Sequence, residues 1–137
     1  MYAILDTSVL VAGLRSKGGA SFQILQAIRT GDIRIAVSVA LVLEYESVLL
    51  RPGLIPRFTP QDIATIVDGL CLLADHQQVF FAWRPFLPDP DDDFVLELAV
   101  AASASFVVTH NTVDFHGSDS MGVRAITPAT ALNLIRP

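Results

Sequence analysis

Tyr2-Ala3-Ile4-Leu5-Asp6-Thr7-Ser8-Val9-Leu10 reads as a short apolar strand that ends on a carboxylate and passes through two hydroxyl residues into a helix. In an open α/β sheet, ligands occupy the crevice at the carboxyl ends of the strands. An acid that terminates the first strand is therefore aimed at that crevice. The plainer alternative is that Asp6 or Ser8 caps the helix. The rest of the chain decides between the two.

Downstream, strands and helices alternate. Thr7 to Leu14 reads as a helix ended by Gly13 and the Arg15-Ser16-Lys17-Gly18-Gly19 loop. Ala20 to Thr30 resumes helical spacing and is closed by Gly31. Ile33 to Ser38 is a second strand, and Val39 to Leu50 a helix that stops before Arg51-Pro52-Gly53. Thr59 caps a further helix with Pro60 just inside it. Val79-Phe80-Phe81-Ala82-Trp83 is a compact β-prone run. Asp92 to Ala104 reads as a helix and Ser105 to Thr109 as a strand. Val123 to Ile126 reads as a weak strand, and Thr127 caps a last helix from Pro128 to Ile135. This alternation predicts a parallel sheet wrapped by helices on both faces, a three-layer α/β/α arrangement. No repeat or linker divides residues 1–137, so one domain is expected.

Composition narrows the class. The 52% apolar content and mean hydropathy of +0.52 suit a doubly covered sheet with an apolar association surface. No apolar run reaches the roughly 18 residues of a membrane span, and no basic leader precedes the first strand, so a cytoplasmic protein is expected. The lone Cys71 can form neither an internal disulfide nor a thiolate-rich zinc site. A net charge of −5 argues against a broad polyanion-binding face, but not against acids gathered around a cation.

Three groups of acids and amides invite that reading. Glu44 shares a helix face with Ala40, Leu41 and Val48, and a carboxylate on an apolar stripe is costly unless a cation or donor meets it. Asp89, Asp91, Asp92 and Asp93 crowd before a helix, more charge than capping requires, and Asp93 shares a helix face with Glu97. Thr109, Asn111 and Asp114 follow an apolar strand, at the end of the sheet where Asp6 also points. His110 and His116 lack zinc-like spacing. Asp6, Glu44 and Asp93, with Asn111 or Asp114, form a hard oxygen donor set that selects Mg²⁺ or Mn²⁺. Such an ion can activate water, orient a phosphodiester and offset charge on the leaving oxygen.

The order and spacing of these residues resemble the PIN-domain nucleases, especially the small VapC-type toxins. The matching stretches are Asp6-Thr7-Ser8, Leu43-Glu44-Tyr45, Asp89-Pro90-Asp91-Asp92-Asp93, and Val107-Val108-Thr109-His110-Asn111 with Asp114-Phe115. The resemblance spans residues 2 to about 126. It implies a PIN-like parallel sheet of about five strands and metal-dependent cleavage of single-stranded RNA to a 5′-phosphate and a 3′-hydroxyl. By resemblance, Asp6, Glu44 and Asp93 are the metal-binding and catalytic acids, Asp93 also helping to deprotonate the attacking water. Thr7, Ser8 and Thr109 are supporting donors, and Asp92 or Glu97 replaces or assists Asp93. Asn111 stands where the family often has Asp, with Asp114 beside it. Arg15, Lys17, Arg51 and Arg57 lie in loops as candidate RNA-backbone contacts. Such toxins usually pair with an antitoxin and often form homodimers, for which the Val79–Trp83 run and the Leu54-Ile55 loop are candidate contacts.

Two other readings compete. An aspartyl-phosphate enzyme of the haloacid-dehalogenase type needs a second Asp two residues on, where Ser8 stands; a receiver domain needs a later Lys, and Lys17 comes too early. A PIN fold that binds RNA or protein without cutting draws on Asn111 and the acidic pI of 4.9.

Overall fold

A computed structural model describes residues 1–79, 87–88 and 92–136. The strands are β1 (Tyr2–Leu5), β2 (Arg34–Val37), β3 (Asp75–His76), β4 (Phe106–Val108) and β5 (Arg124–Ile126). The helices are α1 (Thr7–Arg15), α2 (Ala20–Thr30), α3 (Val39–Leu49), α4 (Pro60–Leu73), α5 (Asp93–Ala101) and α6 (Pro128–Ile135). Among the described residues the five strands form one sheet, in the order β3-β2-β1-β4-β5, and every pairing is parallel. Ala3, Ile4 and Leu5 are all buried although successive side chains of a strand face opposite ways. Both faces of the central strand are therefore covered, as expected of an α/β/α sandwich. On the flanks α2 packs against α1 and α6, and α3 against α4 and α5.

The helix ends follow local chemistry. Ser38 Oγ accepts from Leu41 N at 3.2 Å at the start of α3. Thr59 and Asp62 form a reciprocal capping box ahead of Pro60. Gly31 ends α2 in the left-handed conformation, at φ 87°, which a side chain would oppose. Strand β3, at residues 75–76, was not foreseen in the sequence. It has two exposed polar residues and is held by pairing with β2 and by the Arg34–Asp75 ion pair, without apolar burial. Most of the β-prone Val79–Trp83 run (residues 80–83) lies outside the described residues, as do Asp89 and Asp91. Among the described residues no helix is long and apolar enough to cross a membrane.

Register carries the fold to its functional end. Leu5 lies opposite Val108, and Asp6 N donates to Val108 O at 3.0 Å. The residues that leave β1 and β4, Asp6 and Thr109, are thereby set side by side. Helix α3 is locked to the same edge by Tyr45, whose buried hydroxyl donates to Leu5 O at 2.5 Å. Burial pushes the Tyr45 hydroxyl well above its ordinary value of 10.0, and the nearby negative charges of Asp6 and Glu44 push the same way. Between its unfolded and folded values, the folded chain holds the proton that the unfolded chain has lost. Stability from this group is thus complete below pH 10 and declines as pH rises past it. Tyr45→Phe will cost about 1–3 kcal/mol at neutral pH, from the unpaired carbonyl, and will flatten the alkaline decline. Urea unfolding of both proteins from pH 7 to 11 checks this; parallel alkaline slopes would contradict it.

Candidate active site

The connections leaving β1 run toward β2 and β3, whereas β4 leads on to β5 on the other side. The sheet order therefore reverses between β1 and β4, and the crevice beyond their carboxyl ends is the place where such folds bind ligands. Asp6 (9% exposed) and Thr109 (0%) meet there. Thr109 Oγ1 donates to Asp6 Oδ2 at 2.6 Å, and Ser8 Oγ donates to the same oxygen at 2.8 Å. Each hydroxyl also accepts: Thr109 Oγ1 from Asn111 N at 3.0 Å, and Ser8 Oγ from His110 N at 3.3 Å. Asp6 occupies the N-cap position of α1, but its side chain makes no capping bond. The capping alternative is thus set aside. Among the described residues, both hydrogen bonds to the carboxylate fall on Oδ2, leaving Oδ1 uncommitted.

Glu44 comes to this edge on α3. The buried positions of that helix are Leu41, Tyr45 and Leu49, while Glu44 and Val48 are half-buried and Ala40 is exposed. Glu44 therefore sits at the border of the apolar stripe, not within it. Thr7 Oγ1 donates to Glu44 Oε2, so the first residue of α1 orients the acid on α3. Asp6 and Glu44 line one cleft of about 430 Å³, together with Asp92, Asn111, His110 and Arg51. Val11, Val48 and Leu54 supply its apolar wall. Arg51 forms no ion pair with Asp6 or Glu44 among the described residues.

The other residues singled out in the sequence fall elsewhere. Asp93 is buried at 1% exposure, with its Oδ1 accepting from Leu87 N at 2.8 Å, and Glu97 is buried on the same helix. Neither lines the cleft; Asp92, at the start of α5, does. Asp114 lies half-buried in a 3₁₀ turn (Thr112–Phe115), and it is Asn111, at the head of that turn, that reaches the cleft wall. Arg15 and Lys17 are exposed at the end of α1 and in the following loop. Arg57 stacks over Phe58, 4.9 Å from the ring centroid, beside a separate apolar groove. The contact of Ser21 Oγ with His110 Nε2, 2.6 Å apart, was missed, because the two residues are far apart in the chain and neither belongs to a recognisable motif.

Among the described residues no three His, Cys, Asp or Glu groups gather closely enough to enclose a metal ion. The cleft's donor chemistry nonetheless suits one: carboxylates from Asp6, Glu44 and Asp92 and an amide oxygen from Asn111, the hard ligands that Mg²⁺ and Mn²⁺ prefer.

A parallel α/β sheet with an acid leaving β1 and a second acid on α3 at its switch point is a ligand-binding arrangement of the open α/β class. The chain belongs to the PIN-domain family, whose sequence profile matches residues 2–113. No individual curated protein matches it. PIN domains are generally nucleases.

Proposed function

We propose that the protein is a metal-dependent endoribonuclease that hydrolyses single-stranded RNA, the toxin of a VapC-type toxin–antitoxin pair acting in the cytoplasm. The observation that carries this reading is the meeting of Asp6 and Glu44 at one cleft, where, among the described residues, both hydrogen bonds to the Asp6 carboxylate fall on the same oxygen. The reading takes residues 1–137 as one PIN domain, since β5 pairs with β4 and α6 packs on α2.

In this mechanism Asp6 and Glu44 would hold the ion, and Asp92 and Asn111 could add further oxygen ligands. A bound Mg²⁺ or Mn²⁺ supplies charge compensation at the scissile phosphate and a more acidic water. Thr7 fixes Glu44 through Oε2, and Ser8 and Thr109 fix Asp6 through Oδ2. Arg51 binds an RNA phosphate at the rim. Asp93, buried and outside the cleft lining, accepts the Leu87 N–H and so helps seat the start of α5. Glu97, buried on α5, and Asp114, half-buried in the 3₁₀ turn, are not among the residues that line the cleft.

An antitoxin and a second copy of the chain are the proposed partners. Val39, Leu43 and Leu50 leave large apolar side chains exposed on and just after α3, and an apolar groove of about 480 Å³ lies among α1, α2 and α4. The second reading, an RNA- or protein-binding PIN fold without cleavage, is favoured by the neutral Asn111 on the cleft wall.

Incubation of the purified chain with a labelled single-stranded RNA separates the two. Cleavage is expected with Mg²⁺ or Mn²⁺, is expected to stop on chelation, and should leave 5′-phosphate ends that a ligase accepts. Binding without cleavage would establish the second reading. Chelator-resistant cleavage ending in a cyclic phosphate would overturn the mechanism.

A further inference from the structure

Ser21 lies in the first turn of α2, only 5% exposed, and α2 contributes no residue to the cleft wall. Its neighbourhood is set by a close approach of α1 and α2. A Cβ on Gly13 would stand 3.1 Å from the Ser21 carbonyl oxygen and 2.7 Å from Leu25 Cδ1. From there Ser21 Oγ reaches Nε2 of His110 at 2.6 Å. His110 is exposed on the cleft wall, and its backbone N–H is held by Ser8 Oγ. The residue is thus tied by its backbone to α1 and by its ring to α2.

A neutral imidazole carries one donor and one acceptor nitrogen, and the partner of one nitrogen decides the role of the other. Among the described residues Ser21 Oγ has no other hydrogen-bond partner. A buried hydroxyl proton without an acceptor is costly. The Ser21 proton therefore goes to Nε2, which places the ring's own proton on Nδ1. His110 is left with one N–H donor, on an exposed residue of a cleft otherwise rich in oxygen acceptors. A single donor of this kind distinguishes no base, and the most abundant acceptors of a nucleic-acid strand are those of its sugar–phosphate backbone.

We propose that His110 is a substrate-binding residue, donating its Nδ1–H to a backbone oxygen of the RNA strand, and that Ser21 is the positioning residue that selects this tautomer. The assignment rests on the ribonuclease reading, from which its test can be separated.

Long-range nitrogen–proton NMR of the histidine rings reports the tautomer without any turnover. The Nδ1–H form is expected for His110 in the parent, a mixture in Ser21→Ala, and the parent form again in Ser21→Thr. Kinetics on a single-stranded oligoribonucleotide should then show KM raised about five- to tenfold in Ser21→Ala and in His110→Ala, the size of one hydrogen bond, with the loss falling on KM rather than kcat. The double variant should be no worse than His110→Ala alone. An Nε2–H ring in the parent, an unchanged KM in Ser21→Ala, or additive effects in the double variant would each overturn the proposal. If the parent cuts no RNA, fluorescence anisotropy with the same oligoribonucleotide still decides: a parallel weakening in both single variants supports the assignment, and equal or absent binding overturns it.

Discussion

Asp6→Asn will lower RNA cleavage by about 10³-fold, roughly 4 kcal/mol of transition-state stabilisation, while the protein stays folded. The carboxylate has two different oxygens to spend. Oδ2 accepts from Ser8 and Thr109, and among the described residues Oδ1 has no hydrogen-bond partner at the cleft. An asparagine has a single acceptor oxygen, and the two hydroxyl donors will draw it into the Oδ2 position. Its NH₂ then stands where Oδ1 stood, presenting a donor where a cation would need a lone pair. The bonds to Ser8 and Thr109 survive with a weaker, neutral acceptor, a loss partly offset by relief of repulsion between Asp6 and Glu44. Stability should therefore change by no more than about 1 kcal/mol. Steady-state cleavage and urea unfolding of the same preparations check both halves. Activity within tenfold of the parent would remove Asp6 from the chemistry.

The central elements were legible because they depend on local pattern: apolar runs at β1 and β4, a Thr–Pro pair ahead of α4 and another ahead of α6. β3 was not, because its two exposed residues are strand only through their partner on β2. At the cleft, Asp6 could be placed from its position directly after a strand, whereas Glu44 was singled out by an apolar stripe whose border, not interior, it occupies. The choice within Asp92-Asp93 was not readable. Adjacent residues at a helix start point in directions that differ by about 100°, and a shift of one residue in the start of α5 exchanges the buried acid for the one at the cleft. The hydrogen-bond pattern was equally hidden. The pairing of Ser8, Thr109 and Ser21 with their partners depends on the parallel register of β1 with β4 and on the α1–α2 approach at Gly13, and neither can be seen in any local stretch.

That register makes Thr109 the second position where a large effect is expected. Its side chain is fully buried, and its single hydroxyl serves two neighbours, donating to Asp6 Oδ2 and accepting from Asn111 N. Thr109→Val keeps the shape and removes both bonds. It leaves Asn111 N–H without its partner and takes from the Asp6 carboxylate one of the two donors that hold it, so a loss of about 2–4 kcal/mol in urea unfolding is expected. Cleavage should fall by about 10²-fold, since Asp6 loses its fixed orientation and Asn111 its tether to β4, and misplacement on the ångström scale costs that much. Thr109→Ser restores both bonds and forfeits only a buried methyl, about 1 kcal/mol. Ser8→Ala touches the same oxygen, so its effect and that of Thr109→Val should couple in a double-mutant cycle by at least about 0.5 kcal/mol. The coupling is the decisive measurement. Two independent packing sites would give additive losses, whereas two hydroxyls steadying one carboxylate oxygen cannot be removed independently.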